Sequence, residues 1–371
     1  MPSSPLLELQ RQYELLEMEY DCEKKAFLQQ QDSISLDKKI NRGTCWYPLT
    51  VGRSYYNSLN QYVVEVFRTD HLDTDHRFEF GRPVMFFDAD MEHAKIHPLN
   101  FPATVNYVDE NRMVVILPGP EAMAQLNESM RLGIQLSFDE NVFKLMFASL
   151  RAVMTDKNGR LSELRDIFHG MRPAGELTFA PMRFPWLNPT QESAVNKVLR
   201  AKDVAIVHGP PGTGKTTTLV EAIYETLHRE NQVLVCAQSN MAVDWIAEQL
   251  TDRGIPVLRL GNPVRVNDKM LSFTYERRFE AHPDYPLLHS MRRAIRQLYE
   301  TRKKGRTEAV RQKINSLRDR AEELELRIQE SLFNEARVIA CTLTGAASKL
   351  LFRRRFGTLF IDEAAQALEA A

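Results

Sequence analysis

One short segment of the sequence has the residue types and spacing of a phosphate-binding loop. The run "GPPGTGKT", Gly209 to Thr216, fits the pattern G-x-x-x-x-G-K-[ST] in full and stands before a predicted helix. Its glycines permit a tight loop whose amides point at phosphate, and the helix N-terminus adds positive potential. We expect Lys215 to contact the β- and γ-phosphates and Thr216 to give its hydroxyl oxygen to Mg²⁺. The sequence therefore predicts a nucleotide site that uses magnesium.

Two acidic residues, Asp362 and Glu363, follow the last apolar run, "TLFI". At the carboxyl end of a parallel strand, Asp362 would supply a second contact to the magnesium ion. Glu363 would then orient and deprotonate the attacking water. Taken alone, such a pair is more often the solvated start of a helix, but a complete phosphate loop in the same chain favours the catalytic interpretation.

The segment "LNPTQ", Leu187 to Gln191, precedes the strand predicted before the phosphate loop. Gln191 could recognise the adenine edge with its amide, which would favour ATP over GTP. The alternative is an ordinary helix start in which Asn188 or Thr190 is the capping residue. The nucleotide-binding residues that we expect are Asn188, Gln191, Gly209, Pro210, Pro211, Gly212, Thr213, Gly214, Lys215, Thr216 and Thr217.

The elements that must position these residues alternate between strand and helix from about residue 177 onward. Buried strands are predicted at "DVAIVHG", "QVLVCA", "IPVLRL", "ARVIACT" and "TLFID", with helices between them. This alternation predicts a parallel sheet and hence the α/β class of P-loop NTPases. We expect one ATPase domain over 177–371.

A helical insertion is predicted within that domain, at about 275–335. Apolar residues from Val310 to Ile328 keep a four–three heptad step, and an upstream helix with a turn near Gly305 indicates an antiparallel hairpin. The tip of the hairpin is basic and could either contact nucleic acid or be a solvated helix end. The residues of this basic tip are Arg302, Lys303, Lys304 and Arg306.

The first half of the chain has a different pattern. A helical stalk is predicted over 1–42, a small β-barrel of short alternating strands over 43–120, and return stalk helices over 121–176. The formal net charge of −1 excludes a general attraction to nucleic acid, so such binding would need local patches. The four cysteines have neither zinc nor disulfide spacing, and no signal peptide or membrane-spanning run is evident. We therefore expect a cytoplasmic protein, or a nuclear one in a eukaryote, with no membrane partner.

Five segments in order resemble the motifs of superfamily 1 helicases of the 5′→3′ branch: "LNPTQ", "GPPGTGKTTT", "LVCAQSNMAVD", "VIACTLTGA" and "IDEAAQALE". The sequence is most similar to the up-frameshift and immunoglobulin-μ-binding group. The resemblance implies that Gln366 senses the γ-phosphate and that Ser239, Asn240 and Thr342 hold a single strand of DNA or RNA by its backbone. Without the resemblance, Ser239 and Asn240 would be interpreted as a helix cap and Thr342 as a strand end.

The resemblance also implies that 177–371 is a first RecA-like domain, incomplete here, and that members of the family have a second RecA-like domain, which this sequence lacks. We expect a monomer that is truncated after the acidic motif. In that family, the strand after the acidic motif lies between the phosphate-loop strand and the acidic strand. We therefore expect the 371-residue chain alone to bind ATP weakly and to have almost no turnover. Two alternatives to an ATP-dependent helicase are a non-helicase ATPase switch and a module that only binds nucleic acid.

Overall fold

The computed structural model describes residues 4–69, 76–90, 95–261, 268–300, 308–367 and 370. Residues 17–143 form one compact unit, and the residues up to 16 together with those from 144 onward form another. The basic tip predicted at 302–306 lies outside the described residues. Among the described residues, no helix is both long enough and apolar enough to cross a membrane.

The first part of the chain begins with two helices, continues with strands that one short helix interrupts, and ends with a helix. In chain order they are α1 Pro5–Ser33, α2 Leu36–Asn41, β1 Cys45–Trp46, β2 Leu49–Tyr56, β3 Tyr62–Arg68, β4 Pro83–Asp90, β5 Lys95–Pro98, β6 Ala103–Val108, β7 Arg112–Leu117, α3 Pro120–Glu128, β8 Leu132–Leu136 and α4 Glu140–Thr155.

The strands of this unit form one antiparallel sheet in the order β1-β8-β4-β6-β7-β3-β2, and β5 pairs with β4. Strands β1 and β2 stand at the two ends of this order, where β1 pairs with β8 and β2 pairs with β3. Along the chain, however, β1 and β2 follow each other directly. The sheet therefore curves back on itself as a small barrel. Apolar side chains fill its interior, among them Trp46, Phe86 and Val115.

The boundary expected at residue 120 does not match the strand pairing. Strand β8 lies in the segment that we assigned to return helices, and its residues pair with β4 from Leu132 to Leu136. The short helix α3 packs its Ala122 and Leu126 into the barrel interior. After α3 and β8, helix resumes at α4. A five-residue strand such as "LGIQL" has too little periodicity to distinguish it from a turn between helices.

Buried polar residues also shape the barrel. Glu65 on β3 is almost fully buried and accepts hydrogen bonds from Arg53, at 3.0 Å, and Arg112, at 2.6 Å. These two arginines hold the pKa of Glu65 below its ordinary value. At the base of the barrel, Tyr20 on α1 packs edge-on against Phe143 on α4.

The second part of the chain alternates between helix and strand, apart from its helical insertion. Its elements are α5 Arg160–Phe168, α6 Pro189–Arg200, α7 Lys215–Thr226, β9 Val233–Ala237, α8 Asn240–Asp252, β10 Val257–Arg259, α9 Tyr275–Ala281, α10 Tyr285–Glu300, α11 Glu308–Glu335, β11 Val338–Thr342 and β12 Leu359–Asp362.

Strands β9 to β12 form a parallel sheet in the order β10-β11-β9-β12. One face of the sheet carries an apolar core, in which residues such as Val235, Ala340 and Phe360 pack against α7 and α8. The predicted α/β class is therefore confirmed. The insertion is also helical as predicted, and Arg292 on α10 pairs with Glu325 on α11 at 2.7 Å.

The strand predicted at "DVAIVHG" does not form. Residues 204–208 have no strand conformation, and the Ile206 side chain is 83% exposed. Among the described residues, their backbone amides and carbonyls make no hydrogen bonds to other backbone groups. Among the strands that the structure describes, β12 pairs with β9 alone. The prediction of a buried strand is therefore wrong, because an apolar segment also needs a neighbour with which to pair.

Candidate nucleotide and nucleic-acid site

The phosphate-binding loop leads directly into α7, which begins at Lys215. Gly212 and Gly214 have left-handed backbones, with φ values of 80° and 77°, which glycine adopts without the steric cost of a side chain. A Cβ atom at Gly214 would also lie 2.5 Å from Nε2 of Gln191. Both glycines are thus required by the shape of the loop.

Lys215 lies across this loop. Its Nζ donates hydrogen bonds to the carbonyl oxygens of Gly209, at 2.8 Å, and Pro210, at 3.0 Å. The Thr213 hydroxyl donates to the same Pro210 oxygen at 2.8 Å. The ammonium group is therefore held against the loop backbone, where a phosphate could take over as its acceptor.

Gln191 connects the start of α6 to the loop. Its backbone amide donates to Oδ1 of Asn188 and its Oε1 accepts from the Asn188 amide, which forms a capping box. Its Nε2 also donates to the Thr213 carbonyl at 3.2 Å. The capping geometry that we considered as the alternative is thus present, and it places the Gln191 amide beside the phosphate-binding loop.

A buried carboxylate that sequence reasoning missed supports α7. Glu221 is 1% exposed and accepts hydrogen bonds from Nε1 of Trp186, at 3.0 Å, and from Arg253, at 2.8 Å. The three residues come from α7, from the segment before α6 and from the end of α8. Because an unpaired charge would be costly there, these bonds keep α7 in position under the loop. The sequence held no signal for this contact.

The acidic pair follows β12. Oδ1 of Asp362 accepts a hydrogen bond from the Glu363 amide at 2.9 Å, which orients the carboxylate. Glu363 itself has a left-handed backbone, with φ of 53°, and its side chain is exposed. Such a conformation costs a non-glycine residue about 1–3 kcal/mol and is typical of functional sites. The turn that follows ends at Gln366, which is also exposed.

The sheet register brings the acidic pair and the predicted nucleic-acid residues to one edge. Asp362 on β12 and Thr342 on β11 both lie opposite Ala237, the last residue of β9. Ser239 and Asn240 follow two and three residues later, at the start of α8. Residues that are more than a hundred positions apart in the sequence are therefore neighbours at the carboxyl ends of three parallel strands.

Both predicted hydroxyl contacts also have local structural roles. The Ser239 hydroxyl oxygen caps α8 by accepting a hydrogen bond from the Ala242 amide at 3.1 Å. The Thr342 hydroxyl oxygen accepts from the Gly345 amide at 3.1 Å. These are the cap and the strand end that we expected without the resemblance. The Ser239 hydroxyl keeps its own proton to donate, whereas the Thr342 hydroxyl also lies 3.3 Å from the Thr344 hydroxyl, and either of the two can be the donor.

The residues predicted to hold magnesium suit that ion. Thr216 offers a hydroxyl oxygen and Asp362 a carboxylate, and Mg²⁺ prefers hard oxygen ligands and keeps several waters. Helix α7, whose first turn contains Thr216, lies against β12, which ends at Asp362. In the described part of the chain, no cluster of three or more histidine, cysteine or acidic side chains could hold a metal. A magnesium ion here would therefore depend on these two oxygens together with phosphate and water.

Comparison with known proteins agrees with this geometry. Residues 186–371, half of the chain, match the AAA domain family. The chain is 29% identical over 97% of its length to the DNA-binding protein SMUBP-2 of Mesocricetus auratus. It is 34% identical over 49% of its length to the DNA polymerase alpha-associated DNA helicase A of Schizosaccharomyces pombe, and 32% identical over 50% to the ATP-dependent helicase upf1 of the same yeast.

The chain spans only part of these relatives: 38% of the SMUBP-2 protein, 28% of helicase A and 20% of upf1. The SMUBP-2 similarity covers both the barrel part and the P-loop domain, whereas the other two cover about half of the chain. The phosphate-binding loop, the parallel sheet and these matches together confirm the resemblance found in the sequence. This chain belongs to the AAA domain family of P-loop NTPases and, within it, to the superfamily 1 helicases related to SMUBP-2 and Upf1.

Proposed function

We propose that this chain is the ATP-binding part of a helicase or translocase that acts on single-stranded nucleic acid. The observation that carries the proposal is the common sheet edge, where Asp362 and Thr342 lie opposite the same residue, Ala237. Because β12 pairs directly with β9, a displacement of β12 would also displace β9, which leads to Ser239 and Asn240. Nucleotide chemistry and nucleic-acid binding would thus be coupled through adjacent strands.

In the proposed mechanism, the loop amides and Lys215 bind the phosphates of ATP, and Gln191 faces the adenine. Thr216 and Asp362 would hold Mg²⁺, which when bound neutralises charge on the β- and γ-phosphates. Glu363 would accept the proton of the attacking water, and its exposed position leaves room for that water. Gln366, one short turn further, would respond to the γ-phosphate.

Nucleic acid would be held by its backbone. The hydroxyls of Ser239 and Thr342 each accept one hydrogen bond within the protein. Ser239 can still donate its proton to a phosphate oxygen, and Thr342 can do so when Thr344 is the donor of the bond between their hydroxyls. Donors suit phosphate oxygens and do not distinguish between bases. We therefore propose weak sequence preference and affinity that falls with salt, with single strands preferred.

A non-helicase ATPase switch is the second candidate, and one observation favours it. The Ser239 and Thr342 hydroxyls are both explained by local hydrogen bonds without any nucleic acid. Such a switch would bind ATP independently of nucleic acid, so the two candidates differ in a measurable quantity.

Thermodynamic coupling between the two ligands separates the candidates. The affinity of a labelled single strand of about 15 nucleotides would be measured by fluorescence anisotropy, with and without a non-hydrolysable ATP analogue and Mg²⁺. We expect the analogue to change the Kd by about fivefold or more. The Asp362→Asn variant should still bind the strand but lose most of this change. A strand affinity that is the same with and without the analogue would favour the switch instead.

A further inference from the structure

A fully buried arginine lies directly behind the proposed nucleic-acid edge. Arg259 is the last residue of β10 and its side chain is 0% exposed. Its Nε donates to Oδ1 of Asp244 at 2.7 Å, its Nη2 donates to Oδ1 of Asn240 at 2.8 Å, and its Nη1 donates to the Leu260 carbonyl. Each of the three guanidinium nitrogens thus donates to an acceptor, as a buried guanidinium requires.

This arrangement fixes the first turn of α8. Asn240 and Asp244 are four residues apart on that helix, so they lie one above the other on the same face. The planar guanidinium bonds both of them at once, which a lysine ammonium on a flexible stem would do less well. The neighbouring Gly261 also depends on the arginine, because a Cβ there would lie 2.7 Å from Nη1. The start of α8 is therefore held by a rigid contact from β10.

The contact also determines which way the Asn240 amide faces. Because the guanidinium carries only donors, it accepts no hydrogen bond and favours the amide oxygen on its own side. The amide NH₂ group is then turned away from Arg259. Asn240 is partly exposed, so this NH₂ group can reach a ligand at the sheet edge. An amide turned the other way would present an acceptor, which a phosphate oxygen would repel.

We propose that Arg259 is a positioning residue for nucleic-acid binding, which turns the Asn240 amide so that it donates to the phosphate backbone. The inference rests on the proposed function, since it assigns a role within the same site. It differs from a purely structural ion pair in one respect. A structural arginine would stabilise the fold but would have no particular dependence on Asn240.

A double-mutant cycle on single-strand affinity tests this difference. The variants are Asn240→Ala, Arg259→Lys and the double variant, with lysine chosen because it keeps a charge opposite Asp244. Each single change should weaken binding of the labelled strand by about tenfold, as expected for a lost hydrogen bond to a charged group. The double variant should be no weaker than Asn240→Ala, while the affinity for the ATP analogue stays the same in all of them.

Arg292→Lys is the matched control. This arginine is also largely buried and paired to a carboxylate, Glu325, but it lies in the helical hairpin. It should lower thermal stability to a similar extent and leave strand affinity unchanged. If both arginine variants lose strand affinity in proportion to their loss of thermal stability, the Arg259 effect is only a loss of stability and the proposal is overturned.

Two further outcomes are distinguishable. If Asn240→Ala and Arg259→Lys weaken binding multiplicatively, Arg259 acts independently of Asn240 and the inference is wrong, although the proposed function stands. If Asn240→Ala binds the strand as the parent does, the nucleic-acid contact itself is wrong, and both the inference and the proposed function are wrong.

The Asn240→Asp variant tests the same contact without any change to Arg259. It should raise the melting temperature by pairing with Arg259 while losing strand affinity, and a lower melting temperature would count against the contact.

Discussion

Replacement of Lys215 by alanine is the most direct test of the nucleotide site. The side chain would lose its ammonium group, which now donates to the carbonyl oxygens of Gly209 and Pro210. In a nucleotide complex the same group would donate to phosphate oxygens. A hydrogen bond between two charged groups of this kind contributes about 1.5–3 kcal/mol.

The structure moves the expected effect toward the lower part of that range. Lys215 must give up its two loop carbonyls, at 2.8 and 3.0 Å, when it turns to phosphate, and that loss offsets part of the gain. We therefore expect a net loss of about 1.5–2 kcal/mol, which corresponds to a Kd for Mg-ATP raised by about 10- to 30-fold.

Isothermal titration calorimetry with ATP in excess Mg²⁺, at constant ionic strength, measures this change. Lys157→Ala is a suitable control, because this substitution removes the same charge from an exposed lysine outside the loop. Circular dichroism would show that both variants are folded. If Lys215→Ala and the parent bind ATP with the same affinity, the assignment of Lys215 to the phosphates is wrong.

Three further predictions concern other parts of the chain. Burial, together with the nearby Glu280, raises the pKa of Glu276 from 4.5 to about 7. The contribution of Glu276 to the free energy of unfolding is therefore fully present below pH 4.5, where its carboxyl is uncharged, and is lost as the pH rises through 7. Urea unfolding of Glu276→Gln should therefore show a gain of about 1–3 kcal/mol near pH 8 and none near pH 4, and an equal gain at both would contradict the burial argument. In a preparation with nucleic-acid-stimulated turnover, Glu363→Gln should lower kcat by about a hundredfold or more and leave the ATP affinity nearly unchanged; parent-like turnover would exclude it as the base. Hydrogen exchange should be fast at Val204–Val207 and slow at Val64 in the barrel, and strong protection of the first segment would mean that it pairs as a strand.

Local patterns in the sequence predicted much of the P-loop domain. The motif "GPPGTGKT" indicated the loop because its glycines meet a backbone requirement that few other residues meet. The alternation from β9 to β12 indicated the sheet, and the heptads indicated the hairpin of α10 and α11. The order of five motifs indicated the family, which the comparisons confirmed. Each motif and each periodic segment is a local signal of a few to about twenty residues.

The remaining features depend on contacts between distant segments. The apolar run at 204–208 looks like a strand, but pairing decides strand formation, and here it is unpaired among the described residues. Glu221 and Arg259 look like surface residues until the fold buries each beside its partners, at 1% and 0% exposure. Cys236 and Cys341, scattered in the sequence, have Sγ atoms 3.7 Å apart on neighbouring strands.

The sequence by itself therefore determined the family, the phosphate-binding loop and the types of the nearby elements, because backbone geometry and periodicity are local properties. Only the tertiary structure decided that Asp362, Thr342 and Asn240 share one edge and that Arg259 orients the Asn240 amide. Those outcomes depend on strand register and on the burial of charge, which are set by residues more than a dozen positions apart. The local sequence of a short strand does not tell whether a charged side chain will be solvated or buried. Burial is tolerated only where the fold brings hydrogen-bonding or charged partners to that side chain.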